Sequence, residues 1–294
     1  MAWLGISEQV KESFFTLGGI FTLSLPCLAS RLPSDSDNPL SGLQSLGGPF
    51  AMRNETLGKH FAFSPRNLED GRLYTLVTSI FNHGGMDHFI GNMSILIPVG
   101  HDVHRRFGRK HFLAAFIGGG VAGNLAQLAE YVYQQLQWQE VLPSPYTWSI
   151  FGESFNSTIE SWQKGALGSV YTSVNAWRAS IGASAALSGL VAIQACANIR
   201  SLISNLQELR IMRRTGVHDR HREHILYMES LYQLSHLFLT TLVVYEDASR
   251  LIDSTSSDKG ILRTLVAYSS DGIGHAAHIG GFLFGVLYFF CILS

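Results

Sequence analysis

Residues 179–199 read ASIGASAALSGLVAIQACANI, an uncharged run bracketed by Arg178 and Arg200. At 1.5 Å per residue, a helix of that length crosses the hydrocarbon core of a bilayer. Near its N-terminal end stands Gly182-Ala183-Ser184-Ala185-Ala186. A serine among small residues ordinarily packs, or bonds back into its own helix. Two other apolar segments change that reading, because they carry His83, His88 and Asn92 on one and His278 on the other. A nucleophile needs a base, and a tetrahedral intermediate needs hydrogen-bond donors. The three segments together offer all of these groups.

The composition of the whole chain is that of a multi-span membrane protein. Of 294 residues, 46% are hydrophobic and only 15% charged, well below the quarter or so that is charged in soluble domains. The charge is concentrated between long apolar runs. A net charge of −1 argues against a nucleic-acid partner. Cys27, Cys196 and Cys291 all lie in apolar segments and read as small hydrophobes, so neither a disulfide framework nor a metal or other cofactor is expected. The first residues, MAWLGISEQVKESFF, contain Glu8 and Glu12 and no arginine, unlike a transit peptide or a signal n-region.

The reading predicts an all-α membrane protein, a bundle of six transmembrane helices over residues 14–294 behind a tail of residues 1–13. The first span is placed at Phe14–Ala29, followed by a polar loop, 30–72. The second starts at Asp87 as N-cap, after the break at Gly84-Gly85, and runs to Val103. The third covers Phe112–Tyr133 and is followed by a loop, 135–178, rich in Pro, Ser, Trp and Tyr. The fourth is the opening stretch, the fifth Leu226–Tyr245, and the sixth Gly272–Ser294. Arg105, Arg106, Arg109 and Lys110 follow span two, and a basic inner loop, 200–224, follows span four. The positive-inside rule puts those loops on the inner side. Ser184, His88, Asn92 and His278 then all fall in the outer halves of their helices, where they can meet.

His88 and Asn92 are four apart and share a helix face, as either polar glue or two donors aimed at one point. His83 precedes the helix and reads as a loop-stabilising hydrogen bonder. His278 lies inside a span, where an ionisable residue is a functional candidate by default. His275, one turn earlier, is the rival base. Gly281 and Gly285 have the spacing that lets the last helix press on a neighbour. The soluble hydrolase elbow G-x-S-x-G fails because residue 186 is Ala. No H-E-x-x-H is present for a zinc protease, and no two-halved symmetry suggests a transporter.

The set H-x4-H-x3-N at His83, His88 and Asn92, G-x-S at Gly182 and Ser184, and A-H-x-G-G-x3-G from Ala277 to Gly285 resembles the rhomboid family of intramembrane serine proteases. Three ordered motifs on separate spans are far more specific than any one of them. The run HAAHIGGFLFGVLY is most similar to the mitochondrial, presenilin-associated rhomboid-like branch. The resemblance implies a Ser184–His278 dyad with no third acidic member, and an oxyanion hole of His88, Asn92 and the Ser184 N–H. It implies cleavage of single-span membrane protein substrates within the lipid bilayer, with water admitted from the outer face past span five and the loop before span six. The alternative is a rhomboid-like pseudoprotease that binds membrane clients without cutting them. Ala185 stands where the family usually has Gly, Ser188 where an aromatic often supports the histidine ring, and Arg72 farther from His83 than the family's loop arginine. The branch implies the mitochondrial inner membrane, whereas the sequons at Asn54 and Asn156 would suit the secretory pathway.

Overall fold

The computed structural model describes residues 7–29, 52–141, 180–216, 219–255 and 274–294. Among them almost everything regular is helical, with one isolated antiparallel bridge between Phe63 and Ser180. Helix α1 (Glu8–Ala29) starts six residues before the expected span. Its inward face carries Ser13, Thr16 and Ser24, while Phe14, Phe15, Phe21 and Leu23 point outward. Small polar residues inside and large apolar ones outside is the arrangement a lipid solvent favours. Ser13 Oγ meets His101 Nδ1 at 3.0 Å, which fastens α1 to the bundle.

Residues 52–81, partly assigned to a loop by sequence, fold into three short helices, α2 (Asn54–His60), α3 (Pro65–Glu69) and α4 (Thr75–Thr78), then a tight turn. They are short because polar side chains take over the backbone's hydrogen bonds. Asn67 Nδ2 donates to the carbonyls of Gly58 and Ala62, and Arg72 donates to Asn67 Oδ1 at 2.8 Å. Asn82 Nδ2 donates to the Phe61 carbonyl. Arg72 therefore staples this cap despite its greater distance from His83 in sequence.

Helix α5 (Met86–Ile95) begins with Gly85, not Asp87, at the N-cap. It continues through one wider turn, Leu96–Gly100, into α6 (His101–Val141). Within α6 the backbone breaks at Gly108, φ 81°. The chain reverses there. His88 lies beside Gly182 and Asp102 Oδ2 accepts from Gln194, so the arm before the break runs parallel to the next long helix. After the break Gly119 lies against Gly189 and Gly123 against Ala185, in the opposite sense.

That next helix, α7, spans Ser184–Thr215. It starts at the serine, five residues later than expected, because Gly182 adopts φ +108°, outside the helical region. It also extends through most of the expected basic loop 200–224, which is a correction. Gly216, in the left-handed conformation, ends it, and α8 (Arg220–Thr255) starts within four residues. Leu209, Met212 and Leu226 bury one another at this hairpin, and Arg222 holds Glu208 with two hydrogen bonds. The apolar residues interleaved with the arginines there mark a helical extension whose buried face meets α8.

The last helix, α9 (His275–Tyr288), continues to Leu293. At its glycines it packs on α6 and α7 with the backbones close together. A Cβ on Gly281 would collide with the Ala185 carbonyl, and one on Gly285 with that of Gly189. Both glycines are thus close-approach residues. Among the described residues, four segments are long and apolar enough to cross a membrane: Glu8–Ala29, Met86–Tyr133, Ser184–Thr215 and His275–Leu293. Helix α8, containing the expected fifth span, is not among them, since Ser230, Gln233, Ser235 and His236 dilute its hydropathy. Most of the expected loop 135–178, Asn156 within it, and the segment 256–273, with the first residues of the sixth expected span, lie outside the described residues.

Candidate active site

Ser184 is the first residue of α7, where backbone N–H groups have no intrahelical acceptor. The strand-like segment before it is fixed from two directions. Ser180 and Phe63 exchange both backbone hydrogen bonds, and the Gly182 N–H donates to the Ser79 carbonyl at 2.9 Å. Gly182 is required twice over, by its positive φ and by space. A Cβ there would sit 2.6 Å from His88 Cε1, 2.8 Å from His88 Nε2 and 3.5 Å from Asn92 Nδ2. The histidine and the asparagine thus converge on the backbone two residues before the serine.

Their donor atoms can be assigned. The Gly84 N–H donates to His88 Nδ1 at 3.2 Å, so a neutral His88 carries its proton on Nε2, the nitrogen facing Gly182. Asn92 is 5% exposed, and its Nδ2 has no hydrogen-bond partner among the described residues. A buried amide left unpaired costs free energy, and this one faces the same spot as His88. His83 is fully buried in the turn before α5, its Nδ1 3.3 Å from the Phe81 carbonyl and its ring edge-on to His88 and Phe89. Burial, reinforced by the neighbouring His88, pushes its pKa down to about 4, so it stays neutral. Its contacts are those of a residue built into the turn.

His278 sits one turn before Gly281 on α9, level with the start of α7, because Gly281 backs onto Ala185. Its Nδ1 lies 3.0 and 3.2 Å from the two oxygens of Asp247, on α8. The expectation of no acidic partner is therefore corrected. His275 Nδ1 approaches the same Asp247 Oδ1 at 2.7 Å. Ser188, in the place of a ring-supporting aromatic, donates its hydroxyl back to the Ser184 carbonyl at 3.0 Å and cannot hold the imidazole. Asp247 holds it instead. Ser184 and His278 share no hydrogen bond among the described residues; what brings them together is the contact of their two helices.

Asp247 lies two residues beyond the expected fifth span, Leu226–Tyr245, where a carboxylate reads as part of a solvated loop. A periodic signal was available. Leu226, Ser230, Gln233 and Asp247 are all buried, and Asp247 follows Gln233 by about four helical turns, placing all four on one face of α8.

The Rhomboid domain matches residues 70–294, most of the chain. The chain belongs to the rhomboid family. It is 31% identical over 104 residues to the Arabidopsis thaliana RHOMBOID-like protein 12, mitochondrial, covering 34% of this chain and 31% of that protein. It is 33% identical over 92 residues to Rhomboid-like protein 16, chloroplastic, of the same plant, covering 31% of this chain and 29% of that protein. The matched part thus spans about a third of each relative's length. No solved structure matches. With its apolar helices, this rhomboid is a multi-pass membrane protein.

Proposed function

We propose that this rhomboid is an intramembrane serine endopeptidase that cleaves single-span membrane proteins. The observation that carries the reading is the unpaired, buried Asn92 Nδ2 facing the same point as His88 Nε2–H, at the start of the helix that begins with Ser184. Two side-chain donors and a free helix-terminal N–H form a hole for an oxyanion. With Nδ1–H donated to Asp247, His278 keeps the lone pair on Nε2 for the serine proton.

In this mechanism Ser184 Oγ attacks the scissile carbonyl carbon and its proton passes to His278 Nε2. The carbonyl oxygen becomes an oxyanion held by His88, Asn92 and the Ser184 N–H. Collapse breaks the C–N bond, and His278 returns the proton to the departing amine. A water, deprotonated by the same nitrogen, then hydrolyses the acyl-enzyme and regenerates Ser184. Asp247 holds the ring and its tautomer and does not itself take the proton. Catalytic hydrogen bonds often tighten only once substrate is bound, which accommodates the missing Ser184–His278 bond.

As part of this reading, α8 completes six crossings, and the bilayer is the mitochondrial inner membrane, which the name of one relative supports while the other is chloroplastic. The test is labelling of the purified protein by a fluorophosphonate probe. Labelling that disappears in Ser184→Ala and His278→Ala supports the protease. Absence of both labelling and cleavage in lipid leaves the client-binding pseudoprotease as the better reading.

A further inference from the structure

We propose that Asp247, His275 and His278 form a binding site for a divalent first-row transition ion of the Zn2+ class, and that occupancy of the site switches His278 off as a base. The switch rests on the protease reading above; the metal site itself does not. Sequence alone suggested no metal, because the carboxylate and the two imidazoles are 28 and 31 residues apart and come from different helices.

The geometry is that of a ligand set held ready. Both histidines direct Nδ1 at one carboxylate oxygen, at 2.7 and 3.0 Å, and the three ligand atoms lie within 4.8 Å of one another. Around a tetrahedral Zn2+, with bonds of about 2.0–2.2 Å, neighbouring ligand atoms stand roughly 3.3–3.5 Å apart. Opening the two Nδ1–carboxylate contacts by about half an ångström, with the two nitrogens brought to the same tetrahedral spacing, turns the hydrogen-bonded cluster into a metal shell. The side chains of His275, His278 and Asp247 are 15%, 19% and 10% exposed, so an ion can reach them while most of their surface is already out of solvent. Two imidazoles and one carboxylate suit Zn2+ and its neighbours, whereas Mg2+ and Ca2+ prefer all-oxygen shells. The protease reading needs one histidine on this carboxylate. The second, His275, has no task in it.

The consequence for the base follows from the tautomer. Without metal, a neutral His278 donates Nδ1–H to Asp247 and offers a lone pair at Nε2. When Nδ1 gives its lone pair to the ion, the ring's single proton must sit on Nε2. That nitrogen is then a donor and cannot accept the Ser184 proton. No net proton is released by the neutral ring, and Asp247 remains a carboxylate, now bonded to the ion.

The test is calorimetric titration of the full-length protein in detergent with Zn2+, and with Mg2+ as control. One Zn2+ is expected per chain, with equal affinity in the wild type and in Ser184→Ala. His275→Gln and Asp247→Asn should each weaken binding by at least about tenfold, the scale on which even outer ligands of a metal act. If either variant loses helix content, the visible spectrum of Co2+ bound to Ser184→Ala decides: intense tetrahedral bands support the site, and the pale spectrum of the aqueous ion overturns it. Unchanged Zn2+ affinity in both folded variants also overturns it. In the same preparations, Zn2+ should abolish fluorophosphonate labelling of the wild type, and chelator should restore it. Binding without any effect on labelling overturns the switch. Binding to a wild type that never labels leaves the metal site standing and refutes the protease reading instead.

Discussion

At the scale of single residues, the site depends on which nitrogen carries which proton. Asp247→Asn keeps the shape of the side chain but can donate as well as accept, so it no longer forces Nδ1–H on His278. Turnover should fall by roughly 10²- to 10⁴-fold, the range set by general-base catalysis and by tautomer errors in serine triads. Thermal unfolding should be little changed, and Asp247→Glu should recover part of the rate where Asp247→Asn does not. Kinetics of a fluorogenic membrane substrate alongside melting curves check this. Asn92→Ala removes an amide that bonds nothing in the resting site. It should cost about 10²–10³ in turnover while leaving stability equal or slightly higher, since an unpaired buried donor is lost. His83 gives a pH signature. Unfolded, it titrates near its ordinary 6.5; folded, only near 4. Between those values the unfolded chain binds more protons, so stability falls as pH drops through that window, and His83→Gln should flatten the fall in a melting series.

At the scale of elements, helix-to-helix contact of backbones fixes where Ser184 and His278 lie. Gly285→Val would place a side chain against the Gly189 carbonyl and the Ala192 methyl. Overpacking of that kind typically costs about 1–3 kcal/mol, and here it also slides α9 along α7. The expected result is a lower melting temperature together with loss of probe labelling, although the substitution lies two turns from His278. Gly182→Ala acts differently. It puts a methyl within 2.6 Å of His88 Cε1 and strains a residue at φ +108°, so labelling should fail while α7 and α9 stay packed. Helix content by circular dichroism separates the two cases.

At the scale of the whole molecule, the basic residues mark one end of the bundle and the site the other. Helix α7 begins at Ser184 and ends with Arg213 and Arg214 in its last turn, and the turn at Gly108 is flanked by Arg105, Arg106, Arg109 and Lys110. Under the positive-inside rule, a cysteine placed at residue 108 or 213 should react with an impermeant maleimide only from the inner side, and one at residue 60 only from the outer side. Labelling in the reverse sense would open the site to the other compartment. On the proposed protease reading, because Ser184 is at the very start of its helix, a substrate helix must unwind near its outer end to expose a carbonyl. Substrates with Gly or Pro there should be cut faster than unbroken leucine-rich segments.

The sequence by itself determined the membrane class, the predominantly helical fold of the described residues, the family and the candidates Ser184, His278, His88 and Asn92, because hydropathy, charge bias and short motifs are local and survive without coordinates. It also marked Gly281 and Gly285, since a four-residue glycine spacing has a packing meaning of its own. Helix limits were less legible. A start at Ser184 depends on the conformation of Gly182, and the continuation to Thr215 depends on α8 folding back to cover Leu209 and Met212. Only the tertiary structure decided that Asp247 faces the histidines. The pairing joins helices separated by residues 256–273, and a carboxylate near a helix end looks the same in sequence whether it faces water or a base. The convergence of His88 and Asn92 on Gly182 was likewise settled in space, because the two segments are about ninety residues apart in the chain and touch only when α5 and α7 run side by side.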